Sequence, residues 1–128
     1  MSSIDIEYEF TIQLVKGDSI SVGIADAKCQ HINDDFAGQR DTFNYAYAFT
    51  GTIYSHQTGV GGTGQKYGDG MDMHDIITMM YNPYKSTLSF TKNGKNQGTL
   101  KDIYSNGQLD YRFCVAIPGG HIVQLVDS

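Results

Sequence analysis

Residues 7–14 alternate polar and apolar side chains without a break, placing Tyr8, Phe10, Ile12 and Leu14 on one face. A period of two marks a half-buried β-strand. A turn at Lys16-Gly17-Asp18 follows, and Ser19 to Ile24 alternate again. The pattern predicts an antiparallel hairpin between these two segments. Residues 25–44 are polar and irregular and are expected to form a long surface loop. Tyr45-Ala46-Tyr47-Ala48-Phe49 restores the alternation, and Thr52-Ile53-Tyr54-Ser55 is a short return strand. Residues 56–75 are rich in glycine, show no periodicity, and read as a second long loop.

The next stretch, Ile76-Ile77-Thr78-Met79-Met80-Tyr81, is almost continuously apolar and is expected at the centre of a sheet. Asn82-Pro83-Tyr84-Lys85-Ser86 turns the chain, because proline pre-sets φ and cannot continue a ladder. Residues 88–98 then form a hairpin around Asn93-Gly94, the strongest short-range turn signal in the chain. Residues 111–117 and 121–126 are expected to make a last hairpin around Pro118-Gly119-Gly120. No segment carries apolar residues at helical spacing. About nine short strands separated by turns imply one all-β domain spanning residues 1–128, a β-sandwich of two antiparallel sheets.

Composition narrows the function. Of 128 residues, 40% are hydrophobic and 18% charged, a globular balance. The net charge of −5 opposes a phosphate backbone, and the nine Lys and Arg residues are scattered. Nucleic acid is therefore not an expected partner. No apolar run approaches the ~20 residues that span a bilayer, and no signal-peptide pattern opens the chain, so a cytoplasmic, non-secreted protein is expected. Cys29 and Cys114 read most simply as thiols, Cys114 as a core filler.

Several motifs invite chemistry and do not carry it. Gly59-Val60-Gly61-Gly62-Thr63-Gly64 fits G-x-G-x-x-G, but that fingerprint works only between a strand and a helix N-terminus. Gln65-Lys66-Tyr67-Gly68-Asp69-Gly70 follows instead, so no dinucleotide site is expected. Asp69, Asp72, His74 and Asp75 lack the ligand spacing of a calcium loop, and the four histidines are too dispersed for zinc. No metal or cofactor is predicted. No nucleophile elbow, zinc-protease motif or paired carboxylates stand out, so an enzyme is not expected.

The second half resembles a known family. Residues 67–77 and the L-S-F-T-K-N-G-K element within residues 88–98 are similar to the SPRY domain, as is Val22-Gly23-Ile24-Ala25, which matches its "V-G-V-A" strand. Tyr111-Arg112-Phe113-Cys114-Val115-Ala116-Ile117 takes the position of the closing strand. The likeness covers roughly residues 8–127 and departs at His74, Thr78 and Arg112, with no tryptophan anywhere. It implies a divergent, minimal SPRY domain without the PRY segment, folded as a bent, concanavalin-like β-sandwich. It also implies a non-catalytic module that recognises a peptide or protein surface through edge loops, alone or as a small subunit of a larger assembly. Carried over by position, the contact residues are Asp26, Ala27 and Lys28 after the V-G-I-A strand, and Ile117, Pro118 and Gly119 after the closing strand. Tyr45 and Tyr47 are candidates as aromatic contacts, with sandwich core as their other reading; Asp26 and Lys28 also read as solvated loop charges. A carbohydrate-binding lectin-like domain is the alternative, with Tyr54, Tyr67 or Tyr84 as its stacking ring.

Overall fold

A computed structural model describes residues 6–17, 20–26, 44–48, 50–56, 65–103, 111–117, 120 and 122–126. The described elements are ten strands and no helix: β1 (Tyr8–Lys16), β2 (Ser21–Asp26), β3 (Asn44–Ala48), β4 (Thr52–His56), β5 (Gln65–Lys66), β6 (Ile76–Asn82), β7 (Thr87–Lys92), β8 (Lys95–Leu100), β9 (Tyr111–Ala116) and β10 (Ile122–Leu125). They form two five-stranded antiparallel sheets, ordered β10-β1-β6-β7-β8 and β5-β4-β3-β2-β9. The all-β sandwich read from the alternation is the observed architecture.

The alternating apolar positions meet between the sheets. Ile12 and Leu14 of β1, Ile77 and Met79 of β6, and Leu88 and Phe90 of β7 are fully buried on one side. Val22 and Ile24 of β2, with Tyr45 and Tyr47 of β3, face them from the other sheet. Tyr47 lies 5.3 Å from Phe90 and 5.4 Å from Tyr67, and Phe10 stacks on Phe113 at 5.5 Å. Aromatic pairs at these separations add to simple area burial.

Two predicted hairpins are corrected. β1 pairs with β6 and β10, while β2 pairs with β3 and β9, so the two strands belong to different sheets. β9 and β10 likewise belong to different sheets. Period two states which side chains are buried, not which sheet a strand joins. The β3–β4, β6–β7 and β7–β8 hairpins form as expected. β5 and the turn before β6 fall in what had read as loop; Gly59 to Gly64 and Cys29 lie outside the described residues.

Asn93 and Gly94 both have positive φ, 53° and 83°, which makes the β7–β8 connection a type I′ turn. The turn is also a tie. Asn93 Nδ2 donates to Asp75 Oδ1 (2.9 Å), and Asn93 Oδ1 accepts from the Ile76 N–H (2.8 Å). Asp75 Oδ2 accepts from the Asp72 N–H (2.7 Å) and lies 3.9 Å from Lys92 Nζ. Asp75, one of the acidic residues weighed as a cation ligand, therefore holds the segment before β6 against the hairpin. Among the described residues no group of three His, Cys, Asp or Glu is placed to hold a metal ion.

The tyrosines make the core sensitive to alkali. Burial, with Asp69 and Asp75 adding to it, pushes the Tyr47 hydroxyl up to about 12, and burial also raises Tyr67. A phenol raised in the folded state favours folding while protonated. Its contribution is complete below the unfolded value near 10 and disappears as pH climbs through the folded one. Urea midpoints should therefore hold steady up to about pH 10 and fall between there and about pH 12. Tyr47→Phe should flatten part of that fall. An unchanged slope would remove Tyr47 as its source.

Candidate functional site

Most inward positions along these strands are closed off by the facing sheet, but strand ends are not. At the end where β1 and β9 begin and β6 finishes, the sandwich opens into a cleft of about 430 Å³. Tyr8 of β1, Ile24 of β2, Tyr81 of β6, Pro83, and Tyr111, Arg112 and Phe113 of β9 line it. Tyr8 and Tyr81 are direct cross-strand partners, and Tyr81 meets Tyr111 edge-on across the sheets at 5.9 Å. Tyr45 backs Tyr111 at 6.1 Å. Burial raises the Tyr81 hydroxyl pKa, Tyr45 contributing second. Tyr8 is 51% exposed and Tyr84, beside Pro83, 60%. The walls are thus apolar rings with polar edges, and Arg112 is the only charged residue among them.

The register of β2 against β9 locates the expected contact residues. Asp26 pairs with Tyr111 and Ala25 with Arg112, so Asp26 adjoins the cleft. It is itself buried and has interaction partners, so it is not a plain solvated loop charge. Ser21 pairs with Ala116, and exposed Ile117 follows at the far end of the strand pair. At ~3.3 Å per residue, roughly 20 Å of strand separates Asp26 from Ile117. Val15, Met73 and Ile76 are also exposed. Ala27, Lys28, Pro118 and Gly119 lie outside the described residues.

Tyr45 and Tyr47 are corrected as contact candidates. They are 2% and 0% exposed, turned inward because Ala46 and Ala48 take the opposite face of β3. The Tyr47 hydroxyl donates to the Asp69 carbonyl. Tyr67 is half-buried: its ring meets Tyr47 and Phe90 edge-on and its hydroxyl donates to the Gly98 carbonyl. The Tyr54 side chain lies outside the description.

The alternation alone does not mark the cleft residues. Tyr8 and Tyr81 read as members of buried faces, and Arg112 as a departure from the SPRY pattern. The available signal was position: an apolar residue at the first or last place of a strand lies where the opposite sheet stops.

No helix among the described residues is long and apolar enough to cross a membrane. No curated protein matches the chain in sequence. The family model for the SPRY domain matches residues 6–122. Among solved structures, the SPRY domain of human HERC1 superposes with a TM-score of 0.68 at 19% identity, over 98% of this chain and 79% of that one. A human SPRY domain gives 0.62 at 23% identity, over 91% and 74%. The TRIM65 PSpry domain gives 0.64 at 11% identity, over 100% and 68%. A match across nearly the whole chain, on the fold that the V-G-I-A strand and the Asn-Gly hairpin build, establishes that the chain belongs to the SPRY domain family.

Proposed function

We propose that this SPRY domain is a non-catalytic module that grips an extended segment of a partner protein in the Tyr8–Tyr111–Arg112 cleft, beside Asp26. SPRY domains are generally protein-interaction modules, and the family is mostly intracellular. The observation that carries the reading is the cleft itself, open to solvent and lined by Tyr8, Tyr81, Tyr111 and Arg112. Tyr and Arg are the side chains that most often dominate binding, because they bury large area and still satisfy a polar edge. A cytoplasmic setting, free or within a larger assembly, completes it.

The partner is identified by affinity purification from the native cell with mass spectrometry, and its binding segment by crosslinking. Tyr8→Ala and Arg112→Ala, both at exposed positions, should then each weaken the purified interaction at least about tenfold, at unchanged melting temperature. The double variant Ile117→Ala/Pro118→Ala should bind normally. The opposite pattern would move recognition to the far end of β9.

A further inference from the structure

Among the described strands, the four sheet edges are protected unequally. β5 is two residues long, β8 begins on Lys95 and shifts register against β7, and β9 carries Arg112. These are ordinary ways of discouraging another strand. β10 has none of them: Ile122-Val123-Gln124-Leu125 contains no charge and no proline, and Ile122 and Leu125 are 52% and 67% exposed. The one irregularity along its pairing, a bulge in β1 between Leu14 and Lys16, falls at its first residue.

The backbone polarity of this edge follows from one bond. The Val126 N–H donates to the Thr11 carbonyl (3.0 Å), continuing the Ile12↔Leu125 register. In an antiparallel ladder every second residue turns its N–H and C=O to the same neighbour. Gln124 and Val126 therefore address β1, while Val123 and Leu125 turn their polar groups outward along the edge.

We propose that β10 docks a second copy of this chain, β10 against β10, antiparallel about a twofold axis through Gln124. Residues facing each other across such a pair must lie on the same side of the sheet, so the axis has to pass through a residue and not between two. With the axis on Gln124, Val123 faces Leu125 of the second copy, and Ile122 faces its Val126. Apolar meets apolar at all four places, and the two Val123–Leu125 pairs are the hydrogen-bonding ones, exchanging about four backbone bonds in total. An axis on Val123 would set Ile122 against Gln124; one on Leu125 would set Gln124 against Val126. Self-complementarity is what a twofold interface demands. Charge points to the same place: two chains of net charge −5 repel, and among the described edge strands β10 is the one whose own residues carry no charge. The contact is small, so the dimer is a weak one that forms with rising concentration.

Gln124 is exposed and faces its own copy across a narrow non-bonded pair, with Cα atoms about 4.5 Å apart. That permits a charge-swap experiment on the full chain, with Q124K and Q124E prepared separately. In sedimentation equilibrium the unmodified protein should gain mass from the micromolar to the submillimolar range. Each variant alone should stay monomeric, with dissociation at least about tenfold easier, since like charges meet on the axis. An equimolar mixture should dimerise again. Amide exchange at Val123 and Leu125 should slow with concentration in the unmodified protein. A monomer throughout that range, single variants that dimerise undiminished, or a mixture that stays monomeric would each overturn the proposal.

Discussion

Gly23→Ala is expected to destabilise the fold by about 3 kcal/mol or more, as overpacking against backbone does when nothing can yield. Gly23 sits in β2, hydrogen-bonded between β3 and β9, at the glycine of the V-G-I-A strand. A Cβ there would stand 1.9 Å from the Tyr45 carbonyl oxygen and 2.8 Å from the Ala46 Cα. Both are main-chain atoms of the adjoining strand, and Tyr45 and Tyr47 on that strand fill the core. Relieving the clash means displacing β3, and with it the tilted Tyr47–Phe90 contact. Gly94→Ala is the informative control: its Cβ would meet nothing within 4 Å, leaving only the strain of φ +83°, about 1–2 kcal/mol. Denaturant midpoints that rank Gly94→Ala as the more damaging change would contradict this account of the V-G-I-A glycine.

Asn93→Ala is expected to cost about 2–4 kcal/mol, assembled from two sources. Alanine resists the positive φ that the type I′ turn requires, at about 1 kcal/mol relative to asparagine. The side-chain bonds to Asp75 and to the Ile76 N–H are lost as well, each contributing about 0.5–1.5 kcal/mol. Asn93→Gly separates the two, since glycine accepts the turn but makes neither bond, and it should fall between asparagine and alanine in thermal midpoint. Equal losses for both variants would assign the whole effect to the side-chain bonds. The hairpin lies away from the cleft, so neither change should alter partner affinity in the folded protein.

These two substitutions show where the sequence was informative. The Gly23 strand and the Asn93-Gly94 turn are local signals, written in residues a few positions apart, and they led to both the family and the fold. The partner of Asn93 is Asp75, eighteen positions earlier, and an acidic cluster by itself did not announce it. The β1–β2 and β9–β10 pairings failed for a related reason: adjacent amphipathic strands carry the same alternation whether they share a sheet or face each other across the core. Tyr45 and Tyr47 carry both readings in their pattern, contact or core, and the structure buries both, Tyr47 against Phe90 and Tyr45 against Tyr111. The cleft was least legible of all. Tyr8, Tyr81, Tyr111 and Arg112 come from three strands, and only the register places them together at one open end. Arg112, first met as a departure from the family pattern, stands in the wall of that cleft.

On the proposed function the molecule divides: the family's signature residues hold the sandwich, and the open end beside Asp26 would read the partner. Isothermal titration of the identified partner segment into Arg112→Ala and Asn93→Ala, with melting temperatures recorded on the same samples, tests that division most directly. Arg112→Ala should lose at least about tenfold in affinity with its melting temperature unchanged, and Asn93→Ala should lose melting temperature with its affinity unchanged. Full affinity in Arg112→Ala together with weakened binding by folded Asn93→Ala would place recognition on the hairpin and contradict the account.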